Sequence, residues 1–169
     1  MLEPFLEMLE DGHYEAKFAF DGLADENVWK RPSPTLLSVG EIAGHIAYWE
    51  AVRLAGEGGD PRPDVDKCRV KSPLVDVRFC YYPEQIETGP SEAHVKMTAE
   101  QVCAELVRVH TEAVADFKSR NVDPEATPPG WNSFWTYRSS LKYAVFHIGY
   151  HTGQMYSVRH LLGEQTPDN

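Results

Sequence analysis

Two histidines one helical turn apart raise the question of what this chain binds. In the stretch KYAVFHIGYHTGQMYSVRHLLG, Lys142 to Gly163, His147 and His151 fall on an otherwise apolar stripe of Ala144, His147, Ile148, His151, Met155 and Val158. Residues four apart in a helix are about 6 Å apart along the axis and close in azimuth, so both imidazoles can converge on one ion. A third histidine, His45, lies on the inward stripe Ile42, His45, Ile46, Trp49, Val52 of a different segment. The spacing alone is weak evidence in a chain with seven histidines, and a lone histidine on an apolar face is more often a satisfied core residue. Three of them on two apolar stripes are harder to dismiss. Each would cost on the order of 1–3 kcal/mol if buried without a partner, and one divalent ion removes that cost by taking a nitrogen from each ring. Three neutral protein ligands also leave the ion its full charge and an open position, the pattern of a catalytic site and not of a closed structural one.

The remaining histidines read as structural. His160 lies nine residues beyond His151 and faces away, and His94 falls in a loop. His13 flanks one helical stripe and His110 is one position off another. Around the three candidate ligands, Gln154 follows His151 by three residues on the same face and is the candidate catalytic residue, placed to hydrogen-bond a bound water or substrate. Glu41, one turn before His45, is already explained by a helix-capping role but could also orient that ring. Tyr48, Trp49 and Tyr82 are the candidate ligand-binding residues, with Tyr81 and Trp135 as further candidates for a pocket wall. No convincing protein nucleophile stands near the histidines; Cys103, next to the core position Val102, reads as a small buried hydrophobe.

Four helical segments must hold these residues. The first runs from about Glu3 to Asp21, with Phe5, Leu9, Gly12, Ala16 and Ala19 or Phe20 inward, and Gly22 closing it. The second opens at Ser38 with Glu41 three residues on, the spacing of a capping box, and stops at Gly56 to Gly59. The third opens at Thr98 with Gln101, carries Val102, Leu106, Val109, Ala113 and Phe117, and ends around Asn121. The fourth runs from about Ser139 to Leu162 and stops at Gly163. About 40 residues rich in Pro and Gly, from Gly58 to Met97, separate the second from the third. That is long for a loop and predicts a crossover lying against the bundle, with room for a short helix or strand. The fold expected is all-α, a four-helix bundle with one long crossover between its second and third helices, forming a single domain over residues 1–169.

The totals bound the partners. A chain of 169 residues is the usual size of one domain with one core. No apolar run approaches the roughly 20 residues of a membrane-spanning helix, and the acidic N-terminus lacks the basic region of a signal peptide, so a cytoplasmic location and no membrane partner are expected. The net charge of −10 argues against nucleic acid. Three scattered cysteines without CxxC spacing argue against disulfides and cysteine-ligated zinc. A small-molecule substrate is the partner expected, and a homodimer is left open.

The combination of LSVGEIAGHIAYWE with FHIGYHTGQMYSVRHLLG about 100 residues later resembles the DinB family, described as DinB/YfiT-like metalloenzymes. The likeness covers nearly the whole chain and extends to RFCYYPEQIETGP before MTAEQVCAELVRVH and to the aromatic loop before the fourth helix. It implies a four-helix bundle holding a divalent ion on three histidines, which by position are His45, His147 and His151. Characterised relatives include thiol S-transferases that use bacillithiol or mycothiol, and a mycothiol-dependent maleylpyruvate isomerase. The family name refers to a DNA-damage-inducible gene, which concerns regulation and not DNA binding. Imidazole ligands suit zinc, nickel, iron, manganese and copper, with zinc the expected metal. An ion with an open position makes a nucleophile from water or a thiol at neutral pH. The function expected is a metal-dependent, thiol-dependent S-transferase acting on small electrophiles, with a low-molecular-weight thiol as cosubstrate. The alternatives are a metal-dependent hydrolase and a non-catalytic, metal-stabilised stress-response or binding module. Ferritin-like di-iron chemistry is disfavoured because no helix supplies the ExxH carboxylate pairs.

Overall fold

The computed structural model of the chain describes residues 2–57, 64–81, 89–132 and 134–167. Within them the protein is all-α. Four long helices, α1 (Glu3–Phe18), α3 (Val39–Leu54), α4 (Ala99–Ser119) and α5 (Tyr137–Leu161), form the bundle, and one short helix, α2 (Asp25–Val28), sits between α1 and α3. Helix α3 packs against α4 and α5, and α1 packs against α5 and α4.

The starts of three of the four long helices are written in the sequence. Ser38 accepts from the Glu41 backbone N–H while Glu41 caps the Ser38 N–H in return, and Thr98 and Gln101 repeat the arrangement at α4. A third pair, Thr136 and Ser139, starts α5 slightly earlier than periodicity suggests. Gly163 takes φ +81° just past α5, a left-handed conformation that costs glycine little.

Helix α3 is the central element. Every one of its residues is buried except His45, which is half-buried. A helix apolar nearly all round belongs in the middle of a core, so the one residue it opens toward space is a histidine. Two predicted features shift. The buried face of α1 is Leu6, Leu9, His13 and Ala16, not the Phe5 stripe, because a 3.6-residue repeat through Leu9 passes through His13. The stripe thus carries a polar residue where the sequence pattern placed it at the border. Helix α1 also ends at Phe18, short of Asp21.

The described parts of the crossover lie against the bundle. They contain short 3-10 turns at Val65–Lys67, Val77–Phe79 and His94–Lys96, and bury Leu74 and Phe79 completely. No strand occurs among the described residues. Helix α3 ends at Leu54, just before the expected stop at Gly56 to Gly59, of which Gly58 and Gly59 lie outside the described residues, as do residues 60–63 and 82–88 of the crossover.

Candidate metal centre

The three histidines singled out by spacing come together. The His45 ring lies with its centroid 4.9 Å from His147 and 4.6 Å from His151, and His147 and His151 are 4.3 Å apart. One ligand nitrogen from each lies within 4.8 Å of the others, a grouping that could hold a metal ion. The closest approach is His147 Nε2 to His45 Nε2, 3.1 Å. Two ligands about 2.1 Å from one ion stand roughly 3.0–3.4 Å apart, so this separation suits a shared ion.

Neighbouring groups turn the lone pairs inward. His45 Nδ1–H donates to the Phe79 carbonyl at 2.8 Å, which leaves its Nε2 unprotonated and facing His147. His151 Nδ1–H donates to Gln154 Oε1 at 2.6 Å, freeing its Nε2 likewise. A ligating histidine usually gives its other N–H to such an acceptor, which fixes both tautomer and ring angle. Protonation is disfavoured throughout. Burial, then the charge of His151, hold His45 at about 4. Burial, then His45 and His151, hold His147 at about 2. Burial lowers His151 as well, partly offset by Gln154. All three rings are therefore neutral at pH 7 and offer lone pairs. The donor set fits a divalent ion of borderline softness.

A cavity of about 210 Å³ opens onto His45 and His147, walled by Trp49, Arg53, Tyr81 and Tyr143, with Cys80 also in its lining. Larger grooves lie elsewhere on the surface, one along Lys17 and Cys103 and one along Leu2 and Phe117, but neither gathers imidazoles. Chemistry, and not size, singles out this cavity.

The other expected site residues divide. Trp49 lies at the wall, its indole N–H bonded to the Cys80 carbonyl at 3.1 Å. Tyr48, by contrast, is fully buried and stacks edge-on against Trp49, so it serves the core and not the cavity. Tyr82 lies outside the described residues. Gln154 is engaged on both sides, by His151 and by the Tyr150 hydroxyl at 3.1 Å. Gln154, the residue expected to be catalytic, lies beside His151 with its carbonyl oxygen bonded to that ring. Glu41 does not reach His45. Its oxygens take Ser38, the Arg31 guanidinium and the Tyr81 hydroxyl, and Tyr81 in turn lies 6.0 Å, ring to ring, from His45.

Other residues were missed. Arg53 from α3 lies 4.5–5.3 Å from the rings of Trp49, Trp131, Trp135 and Tyr143; its position one turn after Trp49 was the available signal. Cys80 stands nearer the histidines than the expectation for the cysteines allowed. Burial pushes the thiols of Cys68 and Cys103 up, away from thiolate. His94 is a core residue, donating from Nε2 to the Pro73 carbonyl and accepting at Nδ1 from the Ser91 N–H. His160 is exposed and bonds Thr166. His13 and His110 meet Glu50 in a separate buried cluster.

Two comparisons bear on this arrangement. A family model described as the DinB superfamily matches residues 8–155. No curated protein matches the chain.

Proposed function

From the premise that this chain belongs to the DinB superfamily, we propose that it is a metal-dependent enzyme that joins a low-molecular-weight thiol to a small electrophile. The observation that supports this most is the convergence of three neutral imidazoles, His45, His147 and His151, at the wall of a cavity. Zinc is the expected ion. When bound, it would supply the positive charge that makes a thiol a nucleophile at neutral pH.

The chain's own residues have four tasks. The Phe79 carbonyl and Gln154 hold His45 and His151 at fixed angles and in the ligating tautomer. Trp49, Tyr81 and Tyr143 give the cavity flat apolar walls against which a small organic electrophile can lie. Arg53 places a second cation at the same wall. The bundle buries the rings deeply enough that protons do not compete for them at neutral pH.

The thiol follows from the resemblance to S-transferases that use bacillithiol or mycothiol. The test incubates zinc-loaded protein with bacillithiol or mycothiol and a panel of alkylating electrophiles, beside His147→Ala. Conjugation above the uncatalysed rate, lost in the variant, is the expected outcome. Metal-dependent product formed with water alone would replace the reading with a hydrolase. No turnover, together with unfolding on metal removal, would replace it with a structural module.

A further inference from the structure

The bundle contains a second cluster of metal-type side chains that the first site does not use. His13 comes from α1, Glu50 from α3 and His110 from α4, and they are only 4%, 4% and 8% exposed. His13 Nε2 lies 2.5 Å from Glu50 Oε2, and His110 Nδ1 lies 2.6 Å from Oε1. The two rings stack, 3.9 Å between centroids and 21° apart in plane, so both nitrogens reach the carboxylate from adjacent positions. One donor atom from each residue falls within 4.8 Å of the others.

Charge makes the cluster more than packing. Both oxygens of the buried Glu50 carboxylate face imidazole nitrogens, one from His13 and one from His110. A buried carboxylate needs a positive charge in contact with it. His13 Nδ1 is buried without a hydrogen-bond partner, while its Nε2 faces the carboxylate.

We propose that His13, Glu50 and His110 form a second, structural site for a divalent ion of the zinc class, which would tie α1, α3 and α4 together. The set supplies two nitrogens and one or two carboxylate oxygens, with one negative charge to offset the ion. Ligands about 2.1 Å from one ion stand roughly 3.0–3.4 Å apart, so the contacts of 2.5 and 2.6 Å must open by about half an ångström. Side-chain torsions can absorb that. The site is buried on all three residues, as suits a structural role and not exchange with substrate.

The proposal does not depend on the enzymatic reading. Chelator-stripped protein is titrated with zinc, and bound metal is measured after gel filtration. The wild type should saturate at about two ions per chain, the combined variant His45→Ala, His147→Ala and His151→Ala at about one, and that variant with Glu50→Gln added at none. A wild type that stops at one ion, lost in the combined variant, overturns the second site and leaves the first intact. Should a variant fail to fold, the wild type decides alone: ring nitrogen NMR signals of His13 and His110 should move with the second equivalent of zinc. Signals that stay unmoved through saturation overturn the proposal.

Discussion

His45 is held from behind. Its Nδ1–H is fixed by a backbone carbonyl, and a side-chain substitution at Phe79 cannot delete that acceptor. His151 is held by a replaceable side chain, Gln154. Gln154→Leu should therefore keep the fold, because the residue is only half-buried, and weaken zinc binding at this centre by about tenfold, the low end for losing such a partner. Competition with a coloured chelator reads it; an affinity equal to that of the wild type would show that Gln154 does not orient the ring. Glu41 acts through charge. It is fully buried, and although burial favours its neutral form, the bonds from Arg31 and Ser38 keep its carboxyl below the usual carboxylate range. A depressed folded value gives stability that is present above the unfolded value of roughly 4.3 and is lost as pH falls toward the folded one. Glu41→Gln should thus be less stable at pH 7 by about 1–3 kcal/mol and lose less stability than the wild type between pH 5 and 3. Equal losses in both proteins on urea melts across that range would contradict this.

The elements that matter most to the site are α3 and the 3-10 turn Val77–Phe79 that clamps it. Gly44 permits the contact: a Cβ there would lie 2.6–2.8 Å from atoms of the Phe79 ring. Gly44→Ala should push Phe79 back, shift the carbonyl that holds His45, and cost about 1–3 kcal/mol through overpacking. Zinc affinity should fall with it. A thermal melt and a zinc titration of the variant check both, and a variant with native affinity would mean the turn does not set the ring angle. The helices were legible because their signals are local. The capping pairs Ser38–Glu41 and Thr98–Gln101 and the stripe from Val102 to Phe117 need no knowledge of neighbours. His45, His147 and His151 were legible because period and residue type agreed. The clamp was not, since the Phe79–His45 bond joins residues 34 apart across an irregular loop. The His13–Glu50–His110 cluster was hidden for a related reason: three helices each contribute one polar residue, and only their mutual rotation brings the three together. Tyr48, expected at the cavity wall, lies in the core instead, because α3 is buried on every side and its pattern does not say which aromatic faces the cavity.

Across the whole molecule, the arrangement is a buried helix, α3, packed against α4, α5 and the crossover, with His45, Trp49 and Arg53 as its residues at the cavity. No helix among the described residues is long and apolar enough to cross a membrane. The net charge of −10 surrounds a site that is itself built from neutral rings and Arg53, so any cation-attracting field belongs to the whole surface. The central claim is that these three hold one divalent ion. Elemental analysis of zinc-saturated wild type beside His45→Ala, His147→Ala and His151→Ala tests it most directly. Each single variant should hold about one ion per chain fewer than the wild type, because two remaining ligands do not retain the metal through gel filtration. Metal content unchanged in all three would contradict the account.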